Sequence, residues 1–309
     1  MGVIVTRDVV RATNAAARTV FDGAFAAQDG VWKTIATLIP STQGTEEYGW
    51  IGQVPAMREW IDERAVKSLA AYGYQIRNKK FEATIAVSRE VLEDEAHAQV
   101  RTRIESLAEA ASAHYDALVF DLIKAGETAN GYDNAPFYGT HQVGGVAVRN
   151  VGTASLSAAT LETAIAAMMR VPLDSGEPML LRPTHLLVPP ELLFTALKLV
   201  ASAFNPAPVA AGNTAGQMAA NPLYGSLAVA ASARLSSATE WHLLDCSRSV
   251  KPFILQQRIA PEFSALDGEE GGAGDTAFLR DELLYGVRSR DNAGFGLWQM
   301  AFKSSGEGE

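Results

Sequence analysis

The chain of 309 residues has one cysteine, five histidines and no surplus of positive charge. Because Cys246 has no second cysteine to pair with, an intrachain disulfide is excluded, and we expect a reducing compartment rather than secretion. No stretch approaches the ~20 consecutive apolar residues of a membrane-spanning helix, so we expect no membrane partner. The net charge of −9 argues against a protein that wraps nucleic acid, since such proteins gain most of their affinity by neutralising phosphates.

Motifs for metal and nucleotide binding are missing as well. The histidines show no HExxH spacing, and Cys246 has no CxxC partner. Glu93 and His97 stand four residues apart on a predicted helix and could share a cation, but a polar surface pair is the simpler interpretation. The stretches "GNTAGQM" and "GFGLWQ" lack the spacing of phosphate loops. We therefore predict no metal and no cofactor.

One local cluster suggests nucleophilic catalysis. The stretch "WHLLDCSRS" brings His242, Asp245, Cys246 and Ser247 close together in sequence. Catalytic triads, however, assemble from separate segments, and a buried cysteine that acts as a small apolar residue is the simpler interpretation. We predict that the chain is not an enzyme and has no catalytic residue.

Apolar residues make up 48% of the chain, and the length suggests about two domains. Apolar side chains recur at three- and four-residue steps over 97–124, which predicts a helix of about 40 Å in which His114 is a core residue with a hydrogen-bond partner. An alanine-rich helix is predicted over 6–27 and must dock on another surface to be stable. A third helix is predicted over 156–171. The stretch "MLLRPTHLLVPPELLFTALKLV" predicts a strand, a double proline and a helix of an α/β unit.

Two segments predict partner surfaces. Between residues 48 and 87, two β-favouring runs punctuated by glycine and proline predict a long ribbon. A two-stranded ribbon is marginally stable alone, so it must fold back on its own domain or lie on a neighbouring molecule. Residues 203–225 carry too much proline, asparagine and glycine for a core element and predict a loop that is mobile or held by a partner.

Near the end of the chain, "YGVRSRDNAGFGLWQMAF" predicts a hairpin. Alternation sends Val287, Ser289 and Asp291 to one face and Arg288 and Arg290 to the other. Residues 292–294 predict a turn, residues 295–302 a second strand, and "SSGEGE" a frayed tail. The two arginines either pair with acidic residues of an adjacent subunit or face solvent at a sheet edge.

Five stretches occur together that resemble the major capsid (head) proteins of Mu-like tailed phages and prophages. They are "YGWIGQVPAMREW", "NKKFEATIAVSREVLEDE", "YDNAPFYGTHQ", "LLDCSRSVKPFILQQRIAPEF" and "YGVRSRDNAGFGLWQMAF". The resemblance is weakest over 156–240. It implies an α+β fold, the tailed-phage major capsid fold of the Hong Kong phage ninety-seven type.

By this resemblance each part of the chain has an expected place. Residues 1–39 would be an N-terminal arm, 40–90 an extended β-hairpin loop, 91–155 the peripheral domain with its long spine helix, 156–250 an axial α/β domain, and 251–309 the return strands of the peripheral domain with the tail. The expected subunit-interface candidates are Trp50, Trp60, Tyr74, Arg77, Lys79, Lys80, Phe81, Arg288 and Arg290. Lys79 and Lys80 are interpreted as charges that protect an exposed strand.

The implied function is that of a structural subunit of an icosahedral virion. Copies would assemble into hexamers and pentamers in the bacterial host cytoplasm and enclose double-stranded DNA without sequence-specific binding. The chain begins at the arm, so we expect a scaffold to be a separate chain, alongside a portal, with decoration proteins left open. Two alternatives stay open: a cellular nanocompartment shell subunit of the same fold, and a soluble α/β enzyme.

Overall fold

A computed structural model describes residues 7–49, 73–88, 90–91, 94, 97–173, 176–206, 218–266 and 281–308. Its α-helices are α1 (Arg7–Ala26), α2 (Trp32–Ile35), α3 (His97–Ala125), α4 (Ala158–Met169) and α5 (Leu193–Val200). The helices predicted over 6–27, 97–124 and 156–171 are confirmed as α1, α3 and α4. Within the described ranges, no helix combines the length and the apolar character needed to cross a membrane.

Within the described residues, the strands form two main sheets and three two-stranded hairpin pairs, of which only β5–β6 has a short connection. They are β1 (Ala36–Pro40), β2 (Thr45–Glu47), β3 (Gln75–Arg77), β4 (Lys79–Ser88), β5 (Thr140–Val143), β6 (Val146–Arg149), β7 (Val151–Ala154), β8 (His185–Val188), β9 (Phe204–Pro206), β10 (Met218–Ala220), β11 (Ala228–Ala231), β12 (Trp241–Leu244), β13 (Phe253–Leu266), β14 (Glu282–Phe295) and β15 (Ala301–Gly308). The hairpins are β2–β3, β5–β6 and β9–β10.

The first main sheet has four strands in the order β1-β13-β14-β4. β1 runs parallel to β13, and the other neighbours are antiparallel. Helices α1 and α3 cover one face. Phe21 of α1 and Ile104 of α3 are buried there with Phe263 and Tyr285 of the sheet. The alanine-rich helix thus docks on its own chain.

The second main sheet has five strands in the order β11-β8-β12-β15-β7. All four residues of β12 are buried, which accounts for the unbroken run "WHLL". The predicted strand, double proline and helix are confirmed as β8, a 3₁₀ turn at Pro190–Leu192, and α5. Helix α4 begins with a capping box, in which Ser157 and Thr160 satisfy each other's backbone N–H groups.

Helix α3 takes part in two separate apolar cores. Its first half, from Val100 to Ala111, packs with α1 and the four-stranded sheet. Its second half, with Tyr115, Val119 and Ile123, packs in a larger core that includes β8, β12 and the first residues of β13. At 29 residues and 1.5 Å per residue the helix is about 43 Å long, so it spans both cores.

Part of the C-terminal prediction is wrong. β14 runs unbroken through residues 292–294, because Asn292 and Gly294 pair with Gln256 and Ile254 of β13. A 3₁₀ turn at Trp298–Met300 follows, held by Asn150, whose Nδ2 donates to the carbonyls of Trp298 and Ala301. The last strand does not return to the four-stranded sheet, nor is it frayed, since β15 lies between β12 and β7.

Short strands also occur in regions that are rich in turn residues. Residues 127–155 carry β5, β6 and β7. Of the loop predicted over 203–225, the described residues include the hairpin β9–β10. Residues 207–217 lie outside the described part of the chain.

Candidate subunit interface

Seven of the nine interface candidates lie at one region of the four-stranded sheet. β4 pairs antiparallel with β14, which places Lys80 opposite Arg290 and Phe81 opposite Ser289. Arg77 and Lys79 are close by, since the Arg77 carbonyl accepts from Asn292 Nδ2 at 2.8 Å and Lys79 faces Asp291 in the register. The remaining two candidates, Trp50 and Trp60, lie outside the described residues.

Tyr74 has a role within its own chain. Its hydroxyl oxygen accepts from the Phe295 N–H at 2.6 Å, and burial raises the pKa of the phenol, although this hydrogen bond acts in the opposite direction. Beside it, Ile76 packs so closely on Gly294 that a Cβ there would lie 2.2 Å from Ile76 Cδ1. A larger residue at this position would force the Ile76 side chain to shift, so the absence of a side chain at Gly294 lets β3 pack closely on the sheet.

Gln256 is a site residue that the sequence reasoning missed. Its buried side chain accepts from the Tyr48 hydroxyl at 2.7 Å and donates to Asn78 Oδ1 at 2.7 Å. Asn78 in turn donates to Ser41 Oγ and to the Gln43 carbonyl. The network anchors both ends of the predicted ribbon to the chain's own sheet. The stretch "FILQQR" gave no signal of this, because the network depends on residues that lie far away in the sequence.

The ribbon hypothesis therefore needs correction at its ends. β2, β3 and β4 fold on their own domain, and β4 pairs with β14 along its whole length. For residues 79–88, a position on a neighbouring molecule is wrong. Residues 50–72 lie outside the described residues, so the extended loop stays a prediction for that stretch.

Phe81 faces helix α3 rather than solvent. Its ring lies 4.2 Å from the His114 ring, centre to centre. His114 Nε2 in turn lies 3.1 Å from Oδ1 of Asp291, a carboxylate that is fully buried. The predicted hydrogen-bond partner of His114 is confirmed, although the histidine is partly exposed rather than a fully buried core residue. Phe81 and this pair join α3 to the sheet at the boundary between the two cores.

Arg288 has a partner in its own chain, and its pairing with an adjacent subunit stays a prediction. Its guanidinium lies 3.3 Å from Glu262 Oε2 across β13 and β14. Both side chains are exposed, so the pair contributes little stability. β14 is not an edge strand, since β13 and β4 flank it. The predicted alternation is confirmed: Val287, Ser289 and Asp291 are buried, and Arg288 is exposed.

Lys80 and Arg290 lie on the sheet face opposite α3, directly across from each other. Lys80 is exposed and Arg290 is half-buried. Arg290 Nε is buried without a hydrogen-bond partner among the described residues. Across the described ranges, neither side chain has an ion pair.

A second buried polar cluster lies in the five-stranded sheet. Lys303 Nζ bridges Glu240 Oε2 at 3.1 Å and Glu127 Oε1 at 2.9 Å, while His242 Nδ1 lies 3.1 Å from the Tyr138 hydroxyl. Burial lowers the pKa of His242. Burial alone would raise the pKa of Glu240, but His242, the Ser237 N–H and Lys303 together lower it. Sequence reasoning missed Lys303 because its burial depends on the position of β15.

The residues of "WHLLDCSRS" are held apart by separate partners. Asp245 accepts from the Arg182 N–H and from Ser247, whereas His242 contacts Tyr138. Burial raises the pKa of the Cys246 thiol to about 12, which disfavours the nucleophilic thiolate at neutral pH. Among the residues that the structure describes, no three His, Cys, Asp or Glu side chains converge as metal ligands. Glu93, one half of the possible cation pair, lies outside those residues.

Comparisons with known proteins show which family this chain resembles. The family model for the Mu-like prophage major head subunit gpT matches residues 10–154, 146–235 and 208–308. The Mu-like prophage FluMu major head subunit of Haemophilus influenzae is 27% identical over 303 residues, which cover 98% of this chain and 75% of that protein.

Solved phage shells show the same fold. A chain of the procapsid of bacteriophage JBD30 matches 97% of this chain and 76% of its own length, with 31% identity and a TM-score of 0.60. A chain of the JBD30 capsid decorated with minor capsid protein trimers matches 68% of this chain and 92% of its own length, with 26% identity and a TM-score of 0.52. The predicted α+β fold of tailed-phage capsids is confirmed, and by the family match the chain belongs to the Mu-like prophage major head subunits.

Proposed function

We propose that this head subunit assembles with copies of itself into hexamers and pentamers that close into an icosahedral shell around double-stranded DNA. The observation that carries the proposal is the match of 97% of the chain to a procapsid subunit at 31% identity. A shell built of many identical contacts needs each subunit to present several modest surfaces to its neighbours.

Exposed apolar side chains in and near the five-stranded sheet support contacts between copies. Leu180 is 80% exposed, Phe194 72%, Tyr224 59% and Phe204 57%. Leu180 also has a φ of 55°, an uncommon left-handed conformation for a non-glycine residue. Large apolar side chains that project from one region of a soluble protein are typical of interaction surfaces.

The proposed division of the chain follows the family resemblance except for the place of β15. Residues 1–39 form the arm, 40–90 the extended loop with a base on its own sheet, 91–155 the peripheral domain with α3 as spine helix, and 156–250 the axial domain. Strands β13 and β14 return to the peripheral sheet, whereas β15 contributes to the axial sheet. The remaining interface candidates, Trp50 and Trp60 in the loop and Arg77, Lys79, Lys80 and Arg290 at its base, are proposed contacts.

The proposed partners follow from the same function. A separate scaffold and a portal take part in assembly in the host cytoplasm, and the finished shell is part of the virion. Minor capsid protein trimers decorate the JBD30 capsid, so a comparable decoration protein is proposed here. Enclosed DNA is held without sequence-specific binding, as the net charge of −9 favours.

Electron microscopy of the purified chain, alone and after coexpression with a scaffold, tests the proposal. We expect closed particles of uniform size, and we expect particles from DNA-filled heads to protect DNA of any sequence from nuclease. The variant Leu180→Asp/Phe194→Asp should fold as the native chain does but yield fewer particles. The matched control Thr163→Asp/Thr195→Asp makes the same change in net charge at exposed polar residues of α4 and α5 and should assemble normally. A chain that stays monomeric with and without scaffold would contradict the proposal.

A further inference from the structure

Lys80 and Arg290 carry like charges at directly opposite positions of neighbouring strands. Such a pair is destabilising unless an anion offsets it. Arg290 Nε is moreover buried without a partner in the described part of the chain, and an unsatisfied buried donor is destabilising. The sheet therefore holds a charge arrangement that is incomplete in the isolated subunit.

The surroundings of this pair supply no ion-pair partner among the described residues. Arg258, a third cation, sits in the β13 bulge beside Ile259, the residue that pairs with Arg290. Arg288, two residues from Arg290 on the same face, already uses Glu262. The buried carboxylate of Asp291 points to the other face, toward His114. Glu82, two residues from Lys80 on the same face, lies opposite Arg288 and accepts from Thr84 Oγ1. Within the described ranges, neither Glu82 nor Glu262 forms an ion pair with Lys80 or Arg290, which leaves both cations open to a carboxylate from elsewhere.

The chain carries a segment with matching chemistry. Residues 267–275, "DGEEGGAGD", hold four carboxylates and no cation. The segment follows Leu266, which pairs with Leu284. Arg290 lies six residues further along β14, about 20 Å away at ~3.4 Å per residue. Every neighbouring copy brings the same acidic segment, so identical contacts can repeat around a ring.

We propose that Lys80 and Arg290 form a docking site for the acidic segment 267–275 of a second copy of this chain. The inference rests on the proposed assembly. Patch and segment are different surfaces, so the contact is head-to-tail and closes rings rather than isolated dimers. Charge complementarity of this kind selects the correct neighbour and fixes its position.

A charge-exchange experiment on the full chain tests the contact under conditions in which the native chain assembles. Lys80→Glu/Arg290→Glu and Glu269→Lys/Glu270→Lys should each lower the yield of sedimenting particles by about tenfold or more, because like charges then face each other. The protein that carries all four substitutions should recover particles. Circular dichroism of the unassembled proteins should show that each one is folded.

Mixing the two double variants separates a second copy from the chain's own segment. In a mixture, the acidic patch of one protein meets the basic segment of the other, so rings and particles should return in part. Recovery in the four-substitution protein but not in the mixture would place the segment on its own sheet and overturn the proposal. So would native yields from Lys80→Glu/Arg290→Glu.

Two further readouts distinguish the patch from overall charge and from DNA binding. Lys124→Glu/Arg149→Glu makes an equal change in net charge at exposed residues away from the patch, and an equal loss of particles would show that overall charge, not the patch, controls assembly. Normal particle yield with less co-purified DNA in Lys80→Glu/Arg290→Glu would make DNA the anionic partner and overturn the proposal. Failure of the native chain itself to assemble would instead contradict the proposed function.

Discussion

The burial of Lys303 and its contacts with two carboxylates depend on the position of β15 in the five-stranded sheet. Its side chain is about 10% exposed and lies between the carboxylates of Glu240 and Glu127. Burial alone would lower the pKa of Lys303, but the hydrogen bond to Glu127 and the charge of Glu240 raise it. The ammonium group thus remains charged in a buried site and balances the buried carboxylate of Glu240.

Replacing this lysine tests that balance. Lys303→Met leaves Glu240 buried without a cation, so we expect a loss of about 3 kcal/mol in the free energy of unfolding. Urea unfolding of the unassembled chain measures it. Lys303→Met/Glu240→Gln should recover much of the loss, and Lys124→Met, which breaks an exposed pair with Asp121, should change little. Equal effects of the two lysine variants would contradict this account.

The pH dependence of stability should report the burial of His242. In the unfolded chain this histidine takes up a proton near its ordinary pKa of 6.5, whereas burial lowers its pKa in the folded chain. The unfolded state therefore binds more protons below pH 6.5, and stability should fall on acidification by up to about 1.4 kcal/mol per pH unit.

His242→Gln removes the titrating group and keeps a hydrogen-bonding side chain near Tyr138. Urea unfolding between pH 7 and pH 5 should show a shallower loss of stability in this variant than in the native chain. Identical slopes in the two proteins would show that other groups control the acid response.

Two glycines offer a matched test of close packing. Gly294→Ala places a Cβ against Ile76, and we expect a loss of about 1–3 kcal/mol from overpacking. Gly23→Ala lies in α1 with no atom within 4 Å of the new Cβ, so it should stabilise the chain by up to about 1 kcal/mol. Thermal unfolding of both variants checks the contrast, and a stabilising Gly294→Ala would disprove the close contact.

At the scale of elements, sequence periodicity was informative where an element has one dominant buried face. Helices α1, α3 and α4 and the pair β8 and α5 were predictable because their apolar spacing reflects one packing surface. β15 was not, since "AFKSSGEG" is polar and becomes a strand only between β12 and β7. The turn chemistry of Asn292 and Gly294 was overridden by pairing with β13 and by the approach of Ile76.

For the interface candidates, the sequence predicted which face of the strand a side chain occupies but not which residue it contacts. Sequence alternation placed the arginines of β14 on the correct face because a strand repeats every two residues. It gave no information on partners across strands, so the Arg288 pair with Glu262 and the Tyr74 bond to Phe295 were missed.

Helix α1 supplies a prediction at this scale. Phe21 is fully buried and packs on Phe263 with ring centres 5.4 Å apart, so Phe21→Ala should cost about 3–5 kcal/mol. Hydrogen exchange of the unassembled chain should show faster exchange throughout α1, with α4 unchanged. Phe21→Leu should retain most of the protection. An effect of Phe21→Ala on assembly alone, without loss of stability, would indicate that α1 docks on a neighbour instead.

The whole molecule combines two sheets with different connections to the rest of the chain. The four-stranded sheet carries α1 and the cations Lys80 and Arg290, which have no ion pair among the described residues, whereas the region of the five-stranded sheet carries exposed apolar side chains. The cationic surface and the apolar surface of the subunit thus lie on different sheets. Assembly should weaken at high salt through the cationic patch, because exposed charges are screened beyond about 10 Å at 0.1 M salt.

The shared helix α3 has a mechanical consequence. A rod about 43 Å long that is clamped in both cores cannot bend locally to absorb a shift of one of them. If α3 tilts by about 5° about one of its ends, its other end moves by roughly 4 Å. This displacement is many times larger than the gaps between atoms in a close-packed interior. Slight reorientation of one region would therefore be transmitted to the other as a displacement large enough to break and remake contacts with adjoining copies.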